Sequence, residues 1–398
     1  MTLAQRIEQP PGHVLRVLHV YRTYFPDPQG GVQEAIRQIC RATQPFGVEH
    51  RIFTVSPNPE PRCLSREEAE VWRFQQHVEI ASSGFSLSAL PGFRRLVAWA
   101  DLVHYHFPWP FGDVMHFLGQ VRKPACVTYH SDIVRQQGLL WLYRPLMHRF
   151  LRRIDRIVAT SPPYLASSQV LGKYREKTTV IPLGLDETSY AKTTPEALAR
   201  MDNAYGRNYF LFIGVLRYYK GLNDLLTAIH GTRLRVVIAG EGPEAVRLRT
   251  RAQALGMDNV IFAGFVEDRD KPALIQRSRA LVFPSNARSE AFGVTLLEGA
   301  MFSRPLICTE IGTGTTFVNR HGETGLVVPP AAPMALRQAM QRLADDNALA
   351  ERFGHGARQR FEACFTAAAM GQGYAILYRE LRSTCSAARQ RRDLPAGV

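Results

Sequence analysis

Arg279-Ala-Leu-Val-Phe-Pro284, followed after a short polar turn by Glu290-Ala-Phe-Gly-Val-Thr-Leu-Leu-Glu298, reads as an apolar strand, a loop and the opening of a helix. The apolar spacing carries that helix to about Phe302. A strand that delivers a loop and then a helix is the building unit of a parallel sheet covered on both faces. Glu290 falls in the strand-to-helix loop and Glu298 about two turns into the helix. Between them lie the free N–H groups of a helix N-terminus, which form a seat for a phosphate. Two acids around an anion seat suit a ligand with both sugar hydroxyls and phosphate, and a nucleotide sugar is such a ligand.

The same unit recurs on both sides of this stretch. Val14–Val20 is an apolar strand, leading through the loop Tyr21–Gly30 into a helix from Gly31 to about Gln44, and further strands fall at His50–Val55, Asp101–His106, Ala125–Tyr129 and Arg156–Thr160. Val180–Asp186 closes this series, and the polar stretch to Arg207 reads as a linker. A second series then begins, with strands at Tyr209–Val215, Leu234–Ala239, Val260–Phe265, Ala280–Phe283 and Leu306–Thr309. Its helices start near Gly221, Pro243, Asp268, Phe292 and Pro333. A helical pattern from Glu351 to about Arg382 precedes a frayed end. The expected fold class is α/β, with two Rossmann-like doubly wound domains in tandem. Ligands of such sheets bind at the carboxyl ends of the strands, and the cleft between the two units is the default site.

Composition agrees with this division. The 398 residues exceed one ordinary core, and 45% hydrophobic with 21% charged residues is the balance of a soluble globular chain. No apolar run is long enough to span a membrane, and Met1–Gly12 lacks a charged-then-apolar leader, so a cytoplasmic protein is expected. The six cysteines are scattered without a C-x-x-C pair, which predicts buried reduced thiols. The net charge of +14 is spread over both halves. Its densest cluster, Gly138-Leu-Leu-Trp-Leu-Tyr-Arg144-Pro-Leu-Met-His148-Arg149-Phe-Leu-Arg152-Arg153, interleaves arginines with aromatic and aliphatic residues. That pattern fits a helix at an anionic membrane surface or a half-buried helix with a solvated basic face. No nucleic-acid-binding motif accompanies the charge, and no nucleic-acid partner is expected.

Three more turns of the second series carry candidate chemistry. Gly214-Val-Leu-Arg217-Tyr-Tyr-Lys220-Gly221 puts two cations in a glycine-flanked turn, suited to a diphosphate or to solvation near a helix cap. Gly240-Glu241-Gly242-Pro243 is a tight turn that lets a ligand approach the backbone. Glu310-Ile-Gly312-Thr-Gly314-Thr315-Thr316 offers N–H and O–H donors to phosphate oxygens, or is simple turn chemistry.

These motifs, together with His321-Gly-Glu-Thr-Gly325-Leu-Val-Val-Pro329, resemble the second half of family-4 retaining glycosyltransferases, which include bacterial mannosyltransferases and sucrose synthases. Pro26-Asp-Pro-Gln-Gly30-Gly31-Val-Gln33 is similar to that family's glycine-rich first turn, and Thr128-Tyr-His130-Ser131-Asp132 to its histidine-bearing loop. The resemblance covers the chain after residue 13. It implies the GT-B fold: an acceptor-binding domain over 13–185, a linker over 186–207 and a nucleotide-sugar-binding domain over 208–370. A C-terminal helix over 371–385 would cross back to the first domain, ahead of a tail over 386–398.

The resemblance also implies roles. Arg217 and Lys220 would bind the donor diphosphate and stabilise the leaving nucleotide, and Glu298 would accept from the ribose hydroxyls. Glu290 would hold hydroxyls of the donor sugar, while Phe292, Gly293 and Val294 shape the turn whose N–H groups meet sugar and phosphate. Gly30 and Gly31 would admit the phosphate and acceptor, and His130 would contact the sugar from the opposite wall. Gly240, Glu241 and Val266 would lie near the base. The family usually has a basic residue directly after the first glycine; Val215 stands there instead, and Arg217 would substitute.

A metal site like that of the other major glycosyltransferase fold is not expected, so neither metal nor cofactor is expected, and the two cations would supply the counter-charge. The implied partners are a nucleotide-sugar donor and a lipid-diphosphate-linked saccharide acceptor, met by peripheral contact at the inner face of the cytoplasmic membrane. Mannosyl or rhamnosyl transfer from a GDP-sugar in O-antigen or other surface-polysaccharide synthesis is the first expectation. A UDP-sugar donor, a nucleotide-sugar epimerase of the same architecture and a non-catalytic binding subunit are the alternatives.

Overall fold

The computed structural model describes residues 14–27, 30–80, 83–133 and 137–393. The expected domain start at residue 13 and the last tail residues, 394–398, lie outside them. Two separate sheets form the two halves. The first contains β1 (Leu15–Val20), β2 (Val48–Ser56), β3 (Cys63–Ser65) and β4 (Glu70–Gln75); after a small hairpin, β5 (Val78–Ile80) and β6 (Ser83–Phe85), it adds β7 (Leu102–Phe107), β8 (Ala125–Tyr129), β9 (Arg156–Ala159) and β10 (Thr178–Val180). Its order is β10-β9-β8-β7-β1-β2-β4-β3, parallel throughout except for the edge strand β3. The second sheet contains β11 (Tyr209–Ile213), β12 (Val236–Ala239), β13 (Val260–Gly264), β14 (Ser278–Phe283), β15 (Leu306–Thr309) and β16 (Gly325–Val328). It is wholly parallel, in the order β13-β12-β11-β14-β15-β16.

Parallel strands covered by helices on both faces are apolar on both faces, and β7, β8 and β12 are buried at every position. In each half the first strand is central and the order reverses beside it. This creates a switch point between β1 and β7 and another between β11 and β14. Loops diverge there and leave a crevice at the strands' carboxyl ends.

The C-terminal helix does cross back. Ala367–Asp393 lies against the helix Gly31–Thr43, and a Cβ at Gly371 would sit 2.1 Å from Ala42 O. Tyr374 and Tyr378 reach into the first domain, their hydroxyls 2.9 Å from Thr128 Oγ1 and 2.8 Å from His104 Nδ1. The bounds differ from those expected: the helix starts before 371 and continues to 393. The helical pattern from Glu351 is also two helices, Asn347–Cys364 and Ala367–Asp393. They break where the exit of the first domain docks, with Leu185 N donating to Phe365 O and Ala367 N to Leu185 O, both at 2.9 Å.

The stretch 186–207 is more than a linker. Pro195–Tyr205 is a helix capped by Thr194, whose hydroxyl accepts from Ala197 N at 3.2 Å. Ala197 and Met201 are buried, and Asp202 pairs with Arg277 at 2.7 Å. Its few apolar positions hid this helix among polar residues.

Candidate active site

A cleft of about 1600 Å³ opens between the two halves, and every candidate residue lines it: Gly30, Gly31 and His130 from the first half, with Arg217, Lys220, Gly240, Glu241, Val266, Glu290, Phe292, Gly293, Val294 and Glu298 from the second. They arrive on the loops, and the helix starts beyond them, that follow β1, β8, β11, β12, β13 and β14 at the carboxyl ends of strands.

Lys220 and Glu290 come from the two loops that flank the second switch point. They form a salt bridge with side chains only 11% and 12% exposed. The close approach of these loops requires glycine at Gly221, where φ is +67° and a Cβ would lie 1.8 Å from Pro284 O. Lys220 Nζ also stands 4.7 Å over the Phe283 ring. Gly293, at φ +88°, caps the helix Val294–Met301 and turns its N-terminus toward the cleft. Arg217 and Val215 both line the cleft, and so does Arg22 from the first half.

Glu298 lies little more than one turn into its helix, nearer the start than expected, and is 2% exposed. Its Oε1 accepts from Tyr190 Oη at 2.8 Å and from Lys271 Nζ. Burial works against the charge of Lys271, but the adjoining carboxylate and its hydrogen bond outweigh it and hold the ammonium above its usual range. Neither Lys271 nor Tyr190 was legible beforehand. Each sits in a different element, and no spacing links them to Glu298.

His130 is 6% exposed and turns Nε2 toward His106 Nδ1, 3.0 Å away. His106 in turn belongs to a buried cluster with His19, His50 and His104. His19, His104 and His106 bring three ring nitrogens close enough for one metal ion, as His19 and His50 do with Cys40. His104 already bonds Tyr378 and Thr128, at 2.8 and 2.7 Å, and both nitrogens of His19 and His106 are bonded to neighbouring rings. An ion there would have to displace these bonds.

The histidines carry a stability signature. Burial pushes His50 and His130 down to about 3 from an ordinary 6.5, and His19, His104 and His106 well below it. Between those values the unfolded chain binds protons that the folded one refuses. The stability they contribute is complete above about pH 6.5 and is lost as pH falls toward 3. The melting temperature is expected to be level from pH 8 to about 7 and to fall steeply below about 6; a level profile down to pH 4 would contradict the buried neutral cluster.

Across the cleft Arg288 forms a clamp, with Nη2 3.1 Å from Asp132 Oδ2 and Nη1 2.9 Å from both Ser167 Oγ and Gly312 O. The loop Gly312–Thr316 does not line the cleft. Thr315 Oγ1 donates to Thr309 O at 3.1 Å, Gly312 N to Glu310 Oε1 at 2.8 Å and Gly314 N to Ala291 O at 2.7 Å, so these groups serve the fold rather than a phosphate. The cysteine expectation is corrected in part: Cys40, Cys126 and Cys308 are buried, but Cys63 is exposed and Cys364 half-buried.

The sequence matches the glycosyl transferases group 1 over residues 196–360 and the glycosyl transferase 4-like domain over residues 30–184. It is 51% identical over 353 residues to D-rhamnosyltransferase WbpZ of Pseudomonas aeruginosa, covering 89% of this chain and 93% of that one. The chain belongs to this glycosyltransferase family. It is a hexosyltransferase, which sets aside the epimerase and the non-catalytic subunit. It is also 46% identical over 367 residues to O-antigen chain mannosyltransferase C of Escherichia coli, covering 92% of this chain and 99% of that one. Among solved structures, sucrose-phosphate synthase from Thermosynechococcus elongatus superposes with a TM-score of 0.78 at 21% identity, over 93% of this chain and all of the other. HepE of Anabaena, solved with UDP and glucose, superposes with a TM-score of 0.72 at 19% identity, over 91% of this chain and 99% of the other. Two Rossmann-like halves around a cleft are therefore the GT-B fold expected of the transferase.

Proposed function

We propose that the hexosyltransferase takes mannose or rhamnose from a GDP-sugar, with retention, and adds it to a lipid-diphosphate-linked saccharide of a surface polysaccharide such as O-antigen. The near-full-length likeness to a D-rhamnosyltransferase and to an O-antigen mannosyltransferase carries this reading. The donor would lie with its ribose at Glu298, its diphosphate at the N-terminus of Val294–Met301 with Lys220 and Arg217, and its sugar between Glu290 and His130. The bond from the sugar C1 to the diphosphate oxygen breaks, and the acceptor hydroxyl oxygen forms its bond from the same face. The departing phosphate takes the acceptor proton, while the two cations stabilise the charge that develops on it. In this reading they stand in for a divalent metal. Thermal shift against GDP-, UDP- and TDP-sugars in buffer containing EDTA tests the donor. At about a hundred times the dissociation constant the bound donor adds roughly 3 kcal/mol of stability. Stabilisation by UDP-sugars alone would reject the GDP assignment.

The same reading puts the enzyme at the cytoplasmic membrane face. Among the described residues no helix is long and apolar enough to cross a membrane. The basic helix Gln137–Arg153 buries Met147, Phe150 and Leu151, and exposes Arg144, Arg149, Arg152 and Arg153. Trp141 and Leu142 at its start are 78% and 73% exposed, and Leu142 and Leu146 line the cleft mouth. Exposed apolar side chains beside cations suit the surface of an anionic bilayer that holds the acceptor. Each arginine near such a surface contributes about 1 kcal/mol. Replacing the four by glutamine should therefore release the protein from anionic vesicles in a sedimentation assay; unchanged sedimentation would remove the membrane role.

A further inference from the structure

Four buried imidazoles run in single file from the cleft into the first domain. His130 Nε2 is 3.0 Å from His106 Nδ1, His106 Nε2 is 3.0 Å from His19 Nδ1, and His19 Nε2 is 3.0 Å from His50 Nδ1. The file ends with His50 Nε2 at 2.8 Å from Thr43 Oγ1. Burial keeps all four rings neutral, so each carries one N–H and can give one hydrogen bond and accept one along the file.

The direction of the file is decided at Thr43. Its hydroxyl lies 2.7 Å from Ile39 O and 3.2 Å from Cys40 O, and carbonyl oxygens only accept. The single hydroxyl proton goes to the backbone, so Thr43 Oγ1 accepts from His50 Nε2–H. His50 Nδ1 then accepts from His19 Nε2–H, His19 Nδ1 from His106 Nε2–H, and His106 Nδ1 from His130 Nε2–H. The remaining ring nitrogen of His130, Nδ1, is left without a proton. It belongs to a side chain that lines the cleft, as Gly31 and Asp132 do.

We propose that Thr43, His50, His19 and His106 are positioning residues that hold His130 in its Nε2–H tautomer, so that Nδ1 is a fixed acceptor for a hydroxyl of the bound donor sugar. The proposal rests on the nucleotide-sugar reading of the cleft. A hydroxyl can give or accept, but against this nitrogen it must give, which orients its oxygen lone pairs toward donors elsewhere in the cleft. The file does not serve as a proton conduit to water, because it ends at Thr43, which is 0% exposed and tied to the backbone.

Two-bond proton–nitrogen correlation NMR on the full-length, ligand-free protein reads the tautomer, with His130 assigned through the His130→Asn variant. The expected spectrum has a pyrrole-type Nε2 and a pyridine-type Nδ1 at neutral pH. Thr43→Val keeps the volume but removes the terminal acceptor. It should mix the tautomers of His130 and raise the donor KM about twofold to fivefold, the upper figure being the worth of one whole hydrogen bond, with a smaller change in kcat. Asparagine at 130 presents an amide at the place of Nδ1 without depending on the file, so Thr43→Val added to His130→Asn should leave KM unchanged. A protonated Nδ1 in the unmodified protein, or the same KM rise in both backgrounds, overturns the proposal. Because the NMR needs no ligand, a cleft that binds no nucleotide sugar would fail the functional reading and leave the tautomer assignment standing, whereas the opposite tautomer would fail this proposal alone.

Discussion

Lys220→Ala is expected to lower kcat by about 10²–10³-fold, the effect of removing one preorganised group that stabilises a developing anion. Three features hold the lysine in place: the tight turn at Gly221, the ring of Phe283 beneath it and the Glu290 carboxylate. In the free enzyme the pair is closed. A bound diphosphate would meet an ammonium already oriented, with little side-chain freedom left to lose. Truncation also leaves the enclosed Glu290 carboxylate without its cation, with Ser285 Oγ donating to it at 3.4 Å, so a lower melting temperature accompanies the loss. The decisive comparison is Lys220→Ala with Lys220→Arg in single-turnover kinetics with saturating donor. If the chemical step survives in Lys220→Ala, the leaving-group role belongs to Arg217 instead.

Lys271→Met is expected to destabilise the fold by about 3–5 kcal/mol, because it leaves the charge of Glu298 buried without its cation. Tyr190 would remain as a hydrogen-bond donor, but a phenol does not neutralise a carboxylate. Adding Glu298→Gln should restore most of that stability, since the uncompensated charge is gone. It should not restore donor affinity, because the proposed ribose hydroxyl contacts would exchange a carboxylate for a neutral amide with one acceptor oxygen. Denaturant unfolding of the single and double variants, with donor titrations on each, separates the two effects. Full donor affinity in the double variant would mean that Glu298 only holds the fold together.

Strand and turn chemistry is legible where local sequence controls the outcome. Strands buried on both faces are apolar along most of their length, so β1, β8 and β15 are legible in the sequence almost to the residue. β3, β4 and the hairpin β5–β6 are not legible in it. Their short, polar and half-exposed segments do not show the continuous apolar runs that betray a central strand. β16 is a short edge strand inside a motif, and only its pairing with β15 along the full length of Gly325-Leu-Val-Val328 shows it as a strand. The glycine-rich loop after β15 shows the converse error. Its donors are typical of a phosphate loop, but the carbonyls of Ala291 and Thr309 claim them first.

What the amino-acid order determined by itself was the alternation of elements and hence which residues stand at the carboxyl ends of strands. That is enough to bring Lys220, Glu290 and Glu298 to one sheet edge, because a parallel sheet admits few arrangements of its loops. Which charges meet was decided only by tertiary structure. Lys271 reaches Glu298 from another helix, Arg288 reaches Asp132 across the cleft, and His130 inherits its proton placement from Thr43 through three other rings. Such pairings depend on distances across the folded sheet and on burial that removes competing water, and no spacing along the chain encodes either.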